Sequence, residues 1–358
     1  MSTEPEVGAA PPSDVVAAST RRRRERRLPL WALIGAFIVL GVAAWISAVT
    51  ADEDSGAQLL ALARATALDV SRLRWQFVAA VIVLAGLHYV ATAVAARAAA
   101  GLPLPIGETL LVQLAAAAAN RLTPAGLGGA ALTARYFTRR GLDAPAAIGA
   151  VSALALLGGL ADLLVLAALV LVGSSLGLTG SAREVALLAR QVSARLGPVR
   201  SPWLWAVVAA LLLAALGAYL ARMRFRARRR WTGVLQPVRR LLRHPGALAT
   251  LILASGCTTL VLGFAFIATT AMVPGPQPVG GLGALLIAFM LGSTAGTAVP
   301  LPAGLGGSEA AYVAVLISVQ VPAAHAVEEV LLFRVLTFWA PAAIGVVATR
   351  YLYRRKAI

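Results

Sequence analysis

Long stretches of this chain carry hardly a charge, among them Trp31 to Thr50 and Ala146 to Gly173, and about 20 apolar residues in a row are what a helix needs to cross a bilayer's hydrocarbon core. Lipid offers no partner for a bare N–H or C=O, so such segments must satisfy their own backbone, as helices do. The expected fold is therefore all-α: a polytopic helical membrane protein. Composition agrees, with 59% hydrophobic and 13% charged residues against about half and a quarter in soluble domains. By length, spans are expected at about 30 to 50, 75 to 96, 146 to 173, 203 to 221, 247 to 271 and 325 to 349.

The formal charge of +17 rests on arginine, with Lys356 the only lysine, and it sits in blocks beside the apolar segments. Blocks flanking spans point to membrane topology and to anionic headgroups, whereas nucleic-acid binding calls for a basic stripe. The expected partners are thus membrane lipids, anionic or phosphate-bearing, and not nucleic acid. The arginine and alanine bias fits a high-GC genome such as an actinobacterium's, and the expected location is the plasma membrane. Cys257 is the only cysteine and His88, His244 and His325 are isolated, so no disulfide, metal site or cofactor is expected. Arg21 to Arg27 precede an apolar run longer than a signal peptide's, with no clear cleavage motif, so it is expected to stay as the first span.

Two segments depart from plain spans. Residues 106 to 122 and 282 to 299 are apolar and helix-length, yet each runs into a Pro/Gly cluster and then a short second helical stretch. The sequence Pro-Ala-Gly-Leu-Gly-Gly stands identically at 124–129 and at 302–307, an offset of 302 minus 124, or 178 residues. Such duplication marks an internal repeat. The broken-helix residues are Pro124, Gly126, Gly128 and Gly129 in one copy and Pro300, Pro302, Gly304, Gly306 and Gly307 in the other.

Arginine-rich short loops stay in the cytoplasm. Arg21 to Arg27, the cluster from Arg222 to Arg243, and Arg350 to Lys356 can all lie inside if each Pro/Gly segment is a re-entrant hairpin that enters and leaves on one side. The expected organisation is a disordered basic tail (1–29), a first membrane repeat (30–173), an external loop (174–202), a second, inverted repeat (203–349) with a basic cytoplasmic loop (222–246), and a basic cytoplasmic tail (350–358). Inverted repeats with helices broken at membrane depth are a transporter pattern, with the site where the halves meet.

Polar residues near the two clusters are Gln113, Asn120, Arg121, Thr123 and Arg135, then Ser293, Thr294, Thr297, Ser308 and Glu309. Glycines at the start of a helix expose N–H groups to an anion, and they also let helices approach closely. Ionisable groups within spans point to function, and Asp162 and Arg334 are the clearest. The anionic partner of Arg334 is Glu309, Asp162 or a lipid phosphate, unless its side chain snorkels to an interface. The expected headgroup-binding set is Asn120, Arg121, Arg135, Asp162, Glu309 and Arg334. No P-loop or Gly-x-Ser-x-Gly elbow is present, so no catalytic residue is assigned. The acidic run Asp52-Glu53-Asp54 has the form of a glycosyltransferase metal motif, but it is short and lies in a polar loop.

Thr123-Pro-Ala-Gly-Leu-Gly-Gly-Ala-Ala-Leu-Thr-Ala-Arg-Tyr136 with Arg139 and Arg140, and Pro300 to Glu309 with Ala326 to Arg334 and Phe338 to Pro341, resemble the two motifs of the membrane domain of lysylphosphatidylglycerol synthases, also called flippase-like proteins. The resemblance covers roughly residues 30 to 352. It implies movement of a lipid, the amino-acid transfer of the full synthases residing in a soluble C-terminal domain for which no room remains after Ile358. Ala130 and Ala131 stand where many relatives carry an acid, which leaves Glu309 without a counterpart in the first motif. The expected function is a lipid flippase for a phospholipid or polyprenyl phosphate. The alternatives are the membrane component of a lipid-modifying transferase whose catalytic domain is a separate chain, and a scaffold that transports nothing.

Overall fold

The structure is a computed structural model and describes residues 72–123, 127–175, 231–279, 281–298 and 307–358. The expected spans at 30 to 50 and 203 to 221, the tail 1–29, the loop 174–202 beyond Ser175 and the tip residues Pro124, Gly126, Pro300, Pro302, Gly304 and Gly306 lie outside the described residues.

Ten α-helices are described: α1 (Trp75–Ala100), α2 (Ile106–Leu122), α3 (Leu127–Arg139), α4 (Ala144–Ser175), α5 (Trp231–Arg243), α6 (Pro245–Met272), α7 (Leu282–Ala298), α8 (Gly307–Ser318), α9 (Ala323–Arg334) and α10 (Ala340–Arg354). A π-helical turn, Val335–Trp339, joins the last two into one span. Four stretches are long and apolar enough to cross a membrane: Trp75–Ala100, Ala144–Leu171, Pro245–Met272 and Ala323–Arg354. They coincide with the four expected spans that fall on described residues. Leu156 and Leu253, 74% and 72% exposed, show what their outer faces are built for, since water would penalise such surface and lipid does not.

Helices α2 and α7 have 17 residues each, a rise of about 25 Å, short of the roughly 30 Å hydrocarbon core. Each turns back as the first arm of a hairpin. At the open end of α2/α3, Nε of Arg140 donates to Glu108 at 3.1 Å, and the Thr109 and Tyr136 hydroxyls lie 3.3 Å apart. At the open end of α7/α8, the Val279 N–H donates to the Val319 carbonyl at 2.9 Å. These open ends lie at opposite ends of the bundle. The α2/α3 end packs with Ala96, Ala100 and Leu352, whereas Met272, just before the α7/α8 end, accepts from the N–H of Arg74 at the start of α1. The order of elements also recurs: α7 begins 176 residues after α2 (282 minus 106), α8 180 after α3 (307 minus 127), and α9 179 after α4 (323 minus 144).

Three features hold the bundle together. Phe266, Phe289, Tyr312 and Phe333 form a ring cluster, with Phe289 and Tyr312 stacked at 5.7 Å. At the α2/α3 end, Tyr136 and Phe137 are fully buried against Leu352 and Ile358. Between them α10 lies on α2 so closely that a Cβ on Gly345 would stand 2.1 Å from the Leu114 carbonyl oxygen; only glycine permits that approach. Within the expected basic loop 222–246, Trp231–Arg243 is helical, buries Pro237 and Leu241, and turns Arg239 and Arg243 outward.

Candidate functional site: a two-arginine cavity between the hairpins

Where the first hairpin nears its tip, its backbone donors are taken by its own side chains. The Gly128 N–H donates to the Thr123 hydroxyl at 2.8 Å and the Gly129 N–H to the Asn120 side-chain oxygen at 2.6 Å. These are helix N-cap bonds spanning the hairpin, so two N–H groups that the glycines offer to an anion are occupied from within.

Beside this tip a cavity of about 350 Å³ lies between α1, α2, α8, α9 and the π-turn, lined by His88, Tyr89, Gln113, Asn120, Arg121, Tyr312, Arg334, Thr337 and Phe338. Arg121 and Arg334, 213 positions apart in sequence (334 minus 121), meet here. The reason is local: Arg121 ends α2 near the hairpin tip, and Arg334 ends α9 where the π-turn begins. In that turn the Ala340 N–H donates to the Val335 carbonyl, and Pro341, with no N–H, cannot make the bond that an unbroken α-helix needs.

Arg334 is anchored. Its Nε donates to Glu309 Oε1 at 2.6 Å and its Nη2 to the Ser308 hydroxyl, and both partners of the ion pair are only 12% exposed. Of the partners the sequence left open, the structure selects Glu309. Arg121 is held differently: Nη1 donates to the Ala117 carbonyl, the Tyr89 hydroxyl is within reach, Nε is buried without an acceptor, and no carboxylate pairs with it among the described residues. Both guanidiniums lie over the Phe338 ring, 3.8 Å (Arg121) and 4.0 Å (Arg334) from its centre, so they are less than about 8 Å apart. At an effective dielectric of about 20, like charges at that separation repel by about 2 kcal/mol. The π-face offsets part of this, and one carboxylate serves two cations. The Nε2 of Gln113, also buried and without a partner, adds a donor and no negative charge.

The remaining expected site residues fall elsewhere. Asp162 accepts a hydrogen bond from the Thr259 hydroxyl and lines a separate chamber of about 200 Å³; that chamber adjoins the cavity through His88 and Leu262, which line both. Arg135 does not reach the cavity. The buried face of α3 runs through Gly129, Thr133, Tyr136 and Phe137, and helical spacing puts Arg135 on the exposed stripe with Leu127 and Arg139. His88, Tyr89, Tyr312 and Phe338 are missing from the expected headgroup-binding set, because each is an isolated residue in an apolar helix until the fold brings four helices together.

A family profile described as the lysylphosphatidylglycerol synthase TM region matches residues 32–345. The chain belongs to that family. The matched range takes in both hairpins and every residue that lines the cavity, which makes this a membrane protein of a lipid-related family. A search of curated proteins found no match.

Proposed function

We propose that the protein translocates a phosphate-bearing lipid, a phospholipid or polyprenyl phosphate, with the headgroup passing through the two-arginine cavity. The observation that carries the reading is the charge imbalance over Phe338 among the described residues: two guanidiniums, one carboxylate, and Arg121 left with a buried Nε. A buried cation without a counter-ion is unfavourable by several kcal/mol, and a lipid phosphate supplies the missing charge through strong, charge-assisted bonds. The halves act as inverted repeats, as the opposed open ends of the hairpins suggest, with the cavity at their meeting point. The end bearing Arg97, Arg140, Arg240 and Arg354 faces the cytoplasm by the positive-inside rule, and both termini lie there. Labelling of a cysteine placed at Lys356 from the cytoplasmic side only, in a Cys257→Ser background, is the expected result.

The test is transbilayer movement of fluorescent anionic and zwitterionic phospholipids in liposomes holding purified protein. Wild type accelerates the movement, and Arg121→Gln removes most of the acceleration. Absence of movement with any lipid, in protein shown to be folded, would sink translocation and leave the reading that the family name favours, a membrane component working with a separate transferase.

A further inference from the structure

A second recess of about 350 Å³ lies at the arginine-rich end of the bundle and shares no residue with the central cavity. It opens where the last turn of α1 meets α5 and the first turn of α6, and its polar lining is Arg97, Arg240 and Thr250. Arg240 is fixed in place: its Nη1 donates to the Ala100 carbonyl at 3.0 Å, capping the C-terminus of α1. Gly101 makes this possible, for its φ is 65° and a Cβ there would fall within 2 Å of three atoms of the Arg240 guanidinium.

Arg97 has no such anchor. Among the described residues its side chain makes no hydrogen bond or ion pair, and its Nε is closed off from solvent without an acceptor. Negative charge is scarce around it. No Asp or Glu stands between Glu184 and Glu309, and of the described side-chain carboxylates at this end Glu108 pairs with Arg140 and Asp143 accepts the N–H of Ala146. The outer face of α5 carries Leu235, Arg239 and Leu242 at successive turns, all exposed. Leucine beside arginine on one exposed stripe suits a helix at the boundary of headgroups and acyl chains, and Arg97, in the last turn of a spanning helix, sits at the same depth.

We infer that Arg97 and Arg240 form a binding site for the phosphodiester of an anionic membrane phospholipid, distinct from the translocation cavity and independent of the function proposed for it. The phosphate oxygens accept from Arg97 and from the Arg240 nitrogens not engaged with Ala100, and the acyl chains remain in the adjoining leaflet. Such a lipid is held at one face as a fixed part of the bundle.

Native mass spectrometry of the full-length protein tests this, with phosphatidylglycerol, phosphatidylcholine and inorganic phosphate as separate probes. An Arg121→Gln background removes the central cavity's contribution. Phosphatidylglycerol is expected to bind more tightly than phosphatidylcholine, Arg97→Gln to weaken it about fivefold, the worth of one basic contact at an anionic surface, and Arg97→Lys to keep most of the affinity. Equal phosphatidylglycerol binding with and without Arg97 overturns the site. Inorganic phosphate binding as tightly as phosphatidylglycerol overturns the lipid as its occupant. If Arg97→Gln fails to fold, wild-type protein crosslinked to photoreactive phosphatidylglycerol decides: label on the peptides around Arg97 and Arg240 supports the site, and label only elsewhere overturns it.

Discussion

The two hairpins share six identical tip residues and 17-residue first arms, yet they are secured by different chemistry. Near its tip the first is held by neutral groups, where Thr123 and Asn120 accept the N–H groups of Gly128 and Gly129. Charge holds the second, where Ser308 and Glu309 engage Arg334. By the 178-residue offset, Ala131 stands where the second copy has Glu309, so among the described residues Arg121 has no carboxylate to match the one that serves Arg334. A duplicated backbone thus carries an unequal set of charges, and the inequality leaves one guanidinium open to an outside anion.

The comparison predicts unequal responses to substitution. The largest is at the charged hairpin: Arg334→Ala removes the cation that pairs with buried Glu309 and is expected to lower stability by about 3–5 kcal/mol, read as a fall in unfolding temperature in detergent. The double variant Arg334→Met/Glu309→Met is expected to lose much less, and a loss equal to the sum of the single changes would break the idea that the pair acts as a unit. Next comes Gly345→Ala, whose added methyl meets the Leu114 carbonyl, with an expected loss of about 1–3 kcal/mol by denaturant titration. Asn120→Ala, at the neutral tip of the first hairpin, removes one cap and is expected to cost about 1 kcal/mol; a loss as large as that of Arg334→Ala would erase the contrast between the hairpins. Arg121→Gln differs in sign: it removes a buried cation less than about 8 Å from a second one and is expected to raise stability, by up to about 2 kcal/mol, although lipid movement falls most there.

The described spans are legible in the sequence because one quantity, apolar length, decides whether a segment can cross lipid. Arg334, Glu309 and Arg121 are legible for a related reason, since a charge in an apolar run needs an explanation wherever it falls. Arg135 lies outside the cavity because the small and aromatic residues Gly129, Thr133, Tyr136 and Phe137 take the inward face, and a hairpin's sequence does not say which face its second arm turns inward. Helix α5 is hidden by its arginines, whose density reads as a loop although Pro237 and Leu241 dock it on its neighbours. His88 and Phe338 gain meaning only from tertiary packing. The π-turn leaves a single trace, Pro341, easily passed over near the end of a long apolar span.

That turn fixes the phase of the last span. A π-turn holds one residue more than an α-turn, and each residue advances a helix by about 100°. Taken up as ordinary α-helix, the extra residue would rotate everything beyond Trp339, swinging Gly345 away from Leu114 and bringing Ile344 or Val346 against a backbone with room only for glycine. The wide turn absorbs that residue, so α9 can face Glu309 while α10 faces α2. It is therefore the place in this span where the chain has slack: removing a single residue within Val335–Trp339 would keep both faces in register, with one hydrogen bond still missing at Pro341.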